Sequence, residues 1–202
     1  MLALSHRLWF IRHGETDYNR EGRLQGQRDI PLNPKGREQA SAVGRTLRKI
    51  AGPEIDRLEA AHAFVASPLK RTRQTMELAR VAMGLPAGDY ALRDDLKELT
   101  FGDWEGLTWP EVEARDPKSA AARPADKWDF TPPNGESYAA LARRLTPWLR
   151  SIDHDLFVAS HGGVARALMH LLGGVAPSAA AEANIYQGRA LLFADGGFKW
   201  LG

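Results

Sequence analysis

The chain of 202 residues contains no cysteine. That excludes disulfides, thiolate nucleophiles and cysteine-ligated zinc, and it accords with a reducing compartment. No apolar run is long enough to span a bilayer. Met1 to Phe10 carries Arg7 and has no signal-peptide layout, so the expected location is the cytoplasm. Clustered charge of one sign is also missing. The net charge is only +2, and the basic residues, mostly arginine, are scattered among acids. A nucleic-acid binder would gather them on one face or tail. There is no His-Glu-x-x-His, no Walker A loop, no Gly-x-Gly-x-x-Gly and no Gly-x-Ser-x-Gly elbow. Zincin chemistry, nucleotide-driven kinases and α/β-hydrolase serine chemistry are therefore disfavoured. Internal repeats and low-complexity tracts are absent as well.

What is present is a pattern repeated three times. A short apolar run meets a turn signal and then a helical pattern. Leu8-Trp9-Phe10-Ile11 leads to Arg12-His13-Gly14, Ala63-Phe64-Val65-Ala66 to Ser67-Pro68, and Leu156-Phe157-Val158-Ala159 to Ser160-His161-Gly162-Gly163. Runs of this kind suit strands buried on both faces. Asn33-Pro34 signals a helix start, with Ala40, Val43, Leu47 and Ile50 expected on its buried face. Ser67-Pro68 repeats the start signal for a helix over Leu69 to Met83, with Ser67 as its cap. Val164, Leu168, Leu171 and Leu172 keep helical spacing until Gly173-Gly174. Tyr138, Leu141, Leu145, Trp148 and Leu149 form another stripe, in which Pro147 predicts a kink or break. Arg143-Arg144 reads as a solvated helix face. Asn184 to Leu201 reads as strands with a turn at Asp195-Gly196-Gly197. Asp116 to Gly135, with four prolines, reads as an irregular, lid-like connection. The fold class that follows is α/β: three layers, with a mostly parallel sheet covered by helices on both faces.

In such sheets ligands collect at the carboxyl ends of the strands. Arg12 and His13, Ser67 to Arg71, and His161 fall at three of those ends. Two histidines and two arginines on one rim make a phosphate site with a nucleophile in it. Arginine grips phosphate through its planar fork. A neutral imidazole held in one tautomer can attack phosphorus, and a second, protonated histidine can donate to the phosphoryl oxygens. An acid must still protonate the leaving alcohol. Asp94, Asp95, Glu98, Asp103 and Glu105 are the local supply, and spacing alone does not choose among them. Two histidines and a glutamate could also bind a metal, but Arg12 and Arg71 would repel a cation from the same pocket. His6, His62, His154 and His170 have no comparable context.

At this point a resemblance becomes specific. Arg12-His13-Gly14-Glu15-Thr16 with Asn19 is similar to the signature of the histidine phosphatase superfamily, which includes the phosphoglycerate mutases. The blocks Leu24-Gln25-Gly26, Asp29 to Leu32, Ser67 to Thr75, Leu96-Lys97-Glu98 with Phe101 to Gly106, Pro133 to Ser137, and Ser160 to Gly163 resemble later parts of the family in order. The resemblance implies one such domain over residues 1–202, with the segment at about 116–135 as a lid. It implies His13 as a nucleophile that becomes phosphohistidine, with Arg12, Arg71 and His161 holding the phosphoryl oxygens. Glu98 would be the general acid and then the base. Asn19, Gln25, Gly26 and Gly162 would line the pocket, and Glu15 would support it. Glu136 and Ser137 would border it.

The third block, Phe101 to Gly106, looks like the phosphatase branch, and the chain lacks room for the mutases' insertion after it. The expected reaction is hydrolysis of a small phosphorylated metabolite without metal or other cofactor. The expected partners include no nucleic acid and no membrane, and a homodimer is compatible with the sequence. Two alternatives stay open: a cofactor-dependent phosphoglycerate mutase, and a phospho-ligand binding protein without turnover.

Overall fold

The structure is a computed structural model that describes residues 2, 4–57 and 63–202. His62 and the last residues before Ala63 lie outside these. In chain order the elements are β1 (Leu8–Arg12), α1 (Asp17–Arg20), α2 (Pro34–Arg57), β2 (Phe64–Ala66), α3 (Lys70–Ala82), β3 (Ala91–Leu92), α4 (Trp109–Arg115), α5 (Pro117–Ala122), α6 (Tyr138–Arg150), β4 (Leu156–Ser160), α7 (Gly162–Leu171), α8 (Pro177–Glu182), β5 (Ala190–Ala194) and β6 (Gly197–Leu201). Short 3-10 turns lie at Asp94–Leu96, Gly102–Trp104 and Arg123–Asp126.

The strand order is β3-β2-β4-β1-β5-β6. β1, β4, β2 and β3 run parallel, and β5 and β6 add an antiparallel edge. The three apolar runs are the central strands, and each divides its side chains by alternation. Leu8, Phe10, Val65, Leu156 and Val158 meet Leu141, Leu145, Trp148, Val164 and Leu168 of α6 and α7. Trp9, Ile11, Phe64, Ala66, Phe157 and Ala159 meet Val43, Leu47 and Met76 of α2 and α3. The result is three layers, helices over both faces of a mostly parallel sheet. Each fully buried side chain of this size contributes about 1.5–3 kcal/mol of transfer free energy. Among the described residues no helix is long and apolar enough to cross a membrane.

Several local expectations need correction. Ile50 is exposed, and Ala51 takes the buried place one turn after Leu47. The helix bends there, at Ala51 (φ −128°, ψ 27°). Two residues on, Pro53 lacks a donor and crowds the carbonyl one turn back. Pro147 does not break α6, which runs through it to Arg150. Both Pro147 and Arg143, whose carbonyl loses its partner, face solvent, and water can take the bond. Asn33 caps α2 as expected, its Oδ1 accepting from the Gly36 N–H at 2.9 Å. Ser67 does not cap α3, which begins at Lys70 with Leu69 before it. The stretch 116–135 is partly helical, with α5 and a 3-10 turn, and it buries Ala120 and Trp128. Asp195 (φ 53°) and Gly196 (φ 71°) make the tight β5–β6 turn, both left-handed, which is the hairpin geometry these residue types allow.

Candidate active site

Register brings the two histidines together. β1 and β4 pair with Arg12 opposite Ser160, so His13 and His161, one residue further on, leave the sheet side by side. The His13 N–H donates to the Ser160 carbonyl at 2.9 Å, and the Ser67 N–H donates to the Ala159 carbonyl at 3.1 Å. Their rings meet edge-on with centroids 5.3 Å apart. The loop after His13 lies tight on α2. A Cβ on Gly36 would sit 2.0 Å from the Glu15 carbonyl oxygen, so only glycine permits that approach.

His13 is buried, and its Nδ1 is 2.8 Å from the Gly14 carbonyl oxygen. A carbonyl only accepts, so Nδ1 carries the proton and Nε2 holds a free lone pair when the ring is neutral. Burial first, then the Arg71 and Arg12 charges, push the His13 pKa well below its usual 6.5. The ring is therefore neutral at pH 7. His161 is lowered in the same way, by burial and then Arg71 and His13. Its Nε2 is 2.8 Å from Ser67 Oγ, and its Nδ1 is buried with no partner. With the Ser67 hydroxyl donating to Nε2, a neutral His161 presents Nδ1–H as a donor. The expected protonated donor is thus replaced, in the free site, by a neutral one.

Arg71 and Arg12 are held by backbone oxygens rather than by carboxylates. Arg71 donates to the Arg28 and Gly26 carbonyls at 2.6 and 2.7 Å, and Arg12 donates to the Ile185 carbonyl at 2.7 Å. Each Nε is buried without a partner. Burial lowers both pKa values, that of Arg71 to about 10, which leaves both cationic at neutral pH. His161 directly precedes α7, so free N–H groups and the helix dipole add positive potential.

The candidate acids separate clearly. Asp94 and Asp95 pair with Lys97 and Arg93. Asp103 accepts from Asn134, and Glu105 accepts from Thr100 Oγ1 and the Gln27 N–H. Glu105 also acts on Arg71, but of the five only Glu98 acts on both Arg12 and Arg71. Its carboxylate accepts from the Leu99 and Gly163 N–H groups, each at 3.0 Å.

Of the other expected pocket residues, Gly162 begins α7 beside Arg12 and Arg166. Gly26 contributes its carbonyl to Arg71. Asn19 and Gln25 join a local network through Thr16 Oγ1, and Asn19 also accepts from Gln187. Glu15 accepts from Asn33 Nδ2 and Lys35 Nζ, a supporting position. Ser137 caps α6, and Glu136 pairs with Arg144, so both shape the wall rather than face the histidines. Arg144 is not a solvated residue. It grips Glu136 with Nε and Nη2 and donates to the Asp95 and Lys97 carbonyls.

Residue-level reading of the sequence missed Ser67 as a partner of His161, and it missed Gln187, Tyr138 and Arg166. Helical spacing was the available signal for Arg166, one turn after Gly162. Trp104 and Trp128 are packing residues, against Phe130 and Tyr138.

A sequence profile of the histidine phosphatase superfamily (branch 1) matches residues 8–194. The chain is 32% identical over 168 residues to adenosylcobalamin/alpha-ribazole phosphatase of Salmonella typhimurium, covering 81% of this chain and 77% of that one. It is 34% identical over 183 residues to glucosyl-3-phosphoglycerate phosphatase of Mycolicibacterium vanbaalenii, covering 84% and 75%. The solved structure of mycobacterial glucosyl-3-phosphoglycerate phosphatase superposes with a TM-score of 0.76 at 26% identity, covering 96% of each chain.

Proposed function

Because the chain belongs to the histidine phosphatase superfamily, branch 1, we propose that it hydrolyses phosphomonoesters through a phosphohistidine formed on His13. One observation carries the reading. Close to a neutral, buried His13 whose Nε2 keeps its lone pair, three buried donors have no hydrogen-bond partner: Arg12 Nε, Arg71 Nε and His161 Nδ1. Unpaired buried donors cost free energy, and a phosphoryl group would satisfy all three while meeting the nucleophile.

His13 Nε2 attacks phosphorus, and the bond from phosphorus to the ester oxygen breaks. Arg12, Arg71 and His161 stabilise the charge on the peripheral oxygens. Glu98, entering as the acid, gives its proton to the leaving oxygen. The resulting carboxylate then takes a proton from water as the water oxygen attacks phosphorus. The nitrogen–phosphorus bond breaks, phosphate leaves, and Glu98 is protonated again. The relatives named above are phosphatases, and no feature of the pocket favours the mutase or the non-catalytic alternative. The substrate is a small phosphorylated metabolite.

The test is hydrolysis of p-nitrophenyl phosphate with and without EDTA, beside 3-phosphoglycerate assayed for release and isomerisation. Phosphate release that survives EDTA, without isomerisation, supports the reading. Isomerisation with little release would show a mutase.

A further inference from the structure

Gln187 lies outside every block that resembles the family, on the loop that leads into β5. The loop is anchored on both sides. The Ile185 carbonyl accepts from Arg12 Nη1 at 2.7 Å. The Tyr186 ring packs edge-on against Trp200 of β6, with centroids 5.0 Å apart, and the Arg189 guanidinium lies over both rings. Gln187 itself bridges two parts of the first loop. Its Nε2 donates to the His13 carbonyl at 3.3 Å and to Asn19 Oδ1 at 3.0 Å.

These contacts fix the orientation of both amides. A carbonyl only accepts, so the Gln187 atom facing His13 is the nitrogen. A backbone N–H only donates, so the Asn19 atom facing the Thr16 N–H, at 3.2 Å, is the oxygen. The Thr16 hydroxyl has one hydrogen to give, and Gln25 Oε1 at 2.9 Å is nearer to it than Asn19 Oδ1 at 3.2 Å. Gln187 is then the side-chain donor that holds Asn19 Oδ1. With Oδ1 taken, Asn19 Nδ2 keeps both hydrogens and has no partner among the described residues. One donor atom touches both the Asn19 amide and the His13 carbonyl, so this free donor stands beside the backbone of the nucleophile.

We propose that Gln187 is a positioning residue of the phosphoryl pocket: it holds the Asn19 amide so that Nδ2 donates to an oxygen of the bound phosphoryl group. The proposal rests on the phosphomonoesterase reading. The acceptor is anionic, so the bond is of the stronger, charge-assisted kind. Without Gln187 the Asn19 amide is held only from its own helix turn, and the substrate must order it on binding.

The test is a double-mutant cycle of wild type, Gln187→Met, Asn19→Ala and the double variant. Methionine keeps the length of the side chain and loses the donor. Gln187→Ala takes its place if that variant does not fold. Two quantities are read: kcat/KM on p-nitrophenyl phosphate, and the Kd of vanadate by calorimetry, which needs no turnover. Asn19→Ala should lower kcat/KM and weaken vanadate roughly tenfold or more, as for a lost hydrogen bond to a charged group. Gln187→Met should cost roughly threefold or more on both, the cost of ordering one side chain. In the Asn19→Ala background the same substitution should change neither, since its effect passes through an amide that is gone. Equal losses in both backgrounds would overturn the proposal, because Gln187 would then act through the His13 carbonyl or by packing. Gln187→Met equal to wild type, or Asn19→Ala without effect, would overturn it too. The predicted pattern in vanadate affinity, with no turnover by wild type, would sink the phosphatase reading while supporting the positioning role.

Discussion

His13 is made nucleophilic from the far side of its ring. Nδ1–H donates to the Gly14 carbonyl, and burial with two arginines disfavours a second proton on the ring. His13→Ala should therefore lower kcat on p-nitrophenyl phosphate roughly a thousandfold or more, since no neighbouring group can accept the phosphoryl. Retained turnover in the purified variant would remove His13 from that role. The pH dependence has a definite sign. Both histidines are depressed below 6.5 in the folded protein. The unfolded chain then binds protons first, so stability falls as pH drops below 6.5 toward the folded values. The active, neutral form of His13 survives over the same window. The acid limb of kcat/KM, corrected for substrate ionisation, should lie well below 6.5. A limb centred at 6.5 would mean the ring is not buried against Arg71 and Arg12 as described. His13 and His161 were legible from their ends-of-strand positions. The state of His161 was not, because it depends on Ser67, which is 94 positions away in sequence.

At the level of elements, short contacts between them place the acid. A Cβ on Gly163 would meet Glu98 Oε1 at 2.2 Å and Leu99 Cδ2 at 2.9 Å; both are side-chain ends, and the carboxylate, the nearer, can swing away. Gly163→Ala should therefore depress activity, most for poor leaving groups, while leaving the melting temperature nearly unchanged. A variant as active as wild type would show that Glu98 need not sit against α7. Gly36→Ala is the opposite case. Its clash is with the Glu15 backbone, which has nowhere to go. Overpacking of this kind costs about 1–3 kcal/mol. At roughly 2–4 °C per kcal/mol for a chain of this size, calorimetry should show a clear drop in Tm. An unchanged Tm would contradict the close packing of α2 on the first loop. The start of α2 and the central strands were readable because the Asn33 cap and the buried runs are local signals, whereas Ser67, which read as a cap, turns to His161 instead. Ile50 and Pro147 misled because tertiary exposure, not spacing, decides which side of a helix turn is covered. Arg144 could not be read at all. Its partners, Glu136 and the Asp95 and Lys97 carbonyls, come together only in the fold.

Over the whole molecule, four arginines, Arg12, Arg71, Arg123 and Arg166, converge on one end of the sheet without carboxylate ion pairs among the described residues. The layered architecture was legible because three strands buried on both faces leave few other arrangements. The arginine array was only half legible, since Arg123 and Arg166 lie on segments with no phosphate signature of their own. An oxyanion that binds only the folded site should stabilise it. Vanadate at one hundred times its Kd should add about 2.7 kcal/mol to unfolding and raise Tm by several degrees. No shift at saturating vanadate would contradict the anion pocket.

The most direct measurement of the central claim is rapid mixing with p-nitrophenyl phosphate, an alkaline quench, and mass analysis of the intact and digested protein. The His13 route predicts one phosphoryl group, stable to alkali and lost in acid, on the peptide containing His13, and none in His13→Ala. Steady turnover with no phosphoryl group on His13, or with one on another residue, would contradict it.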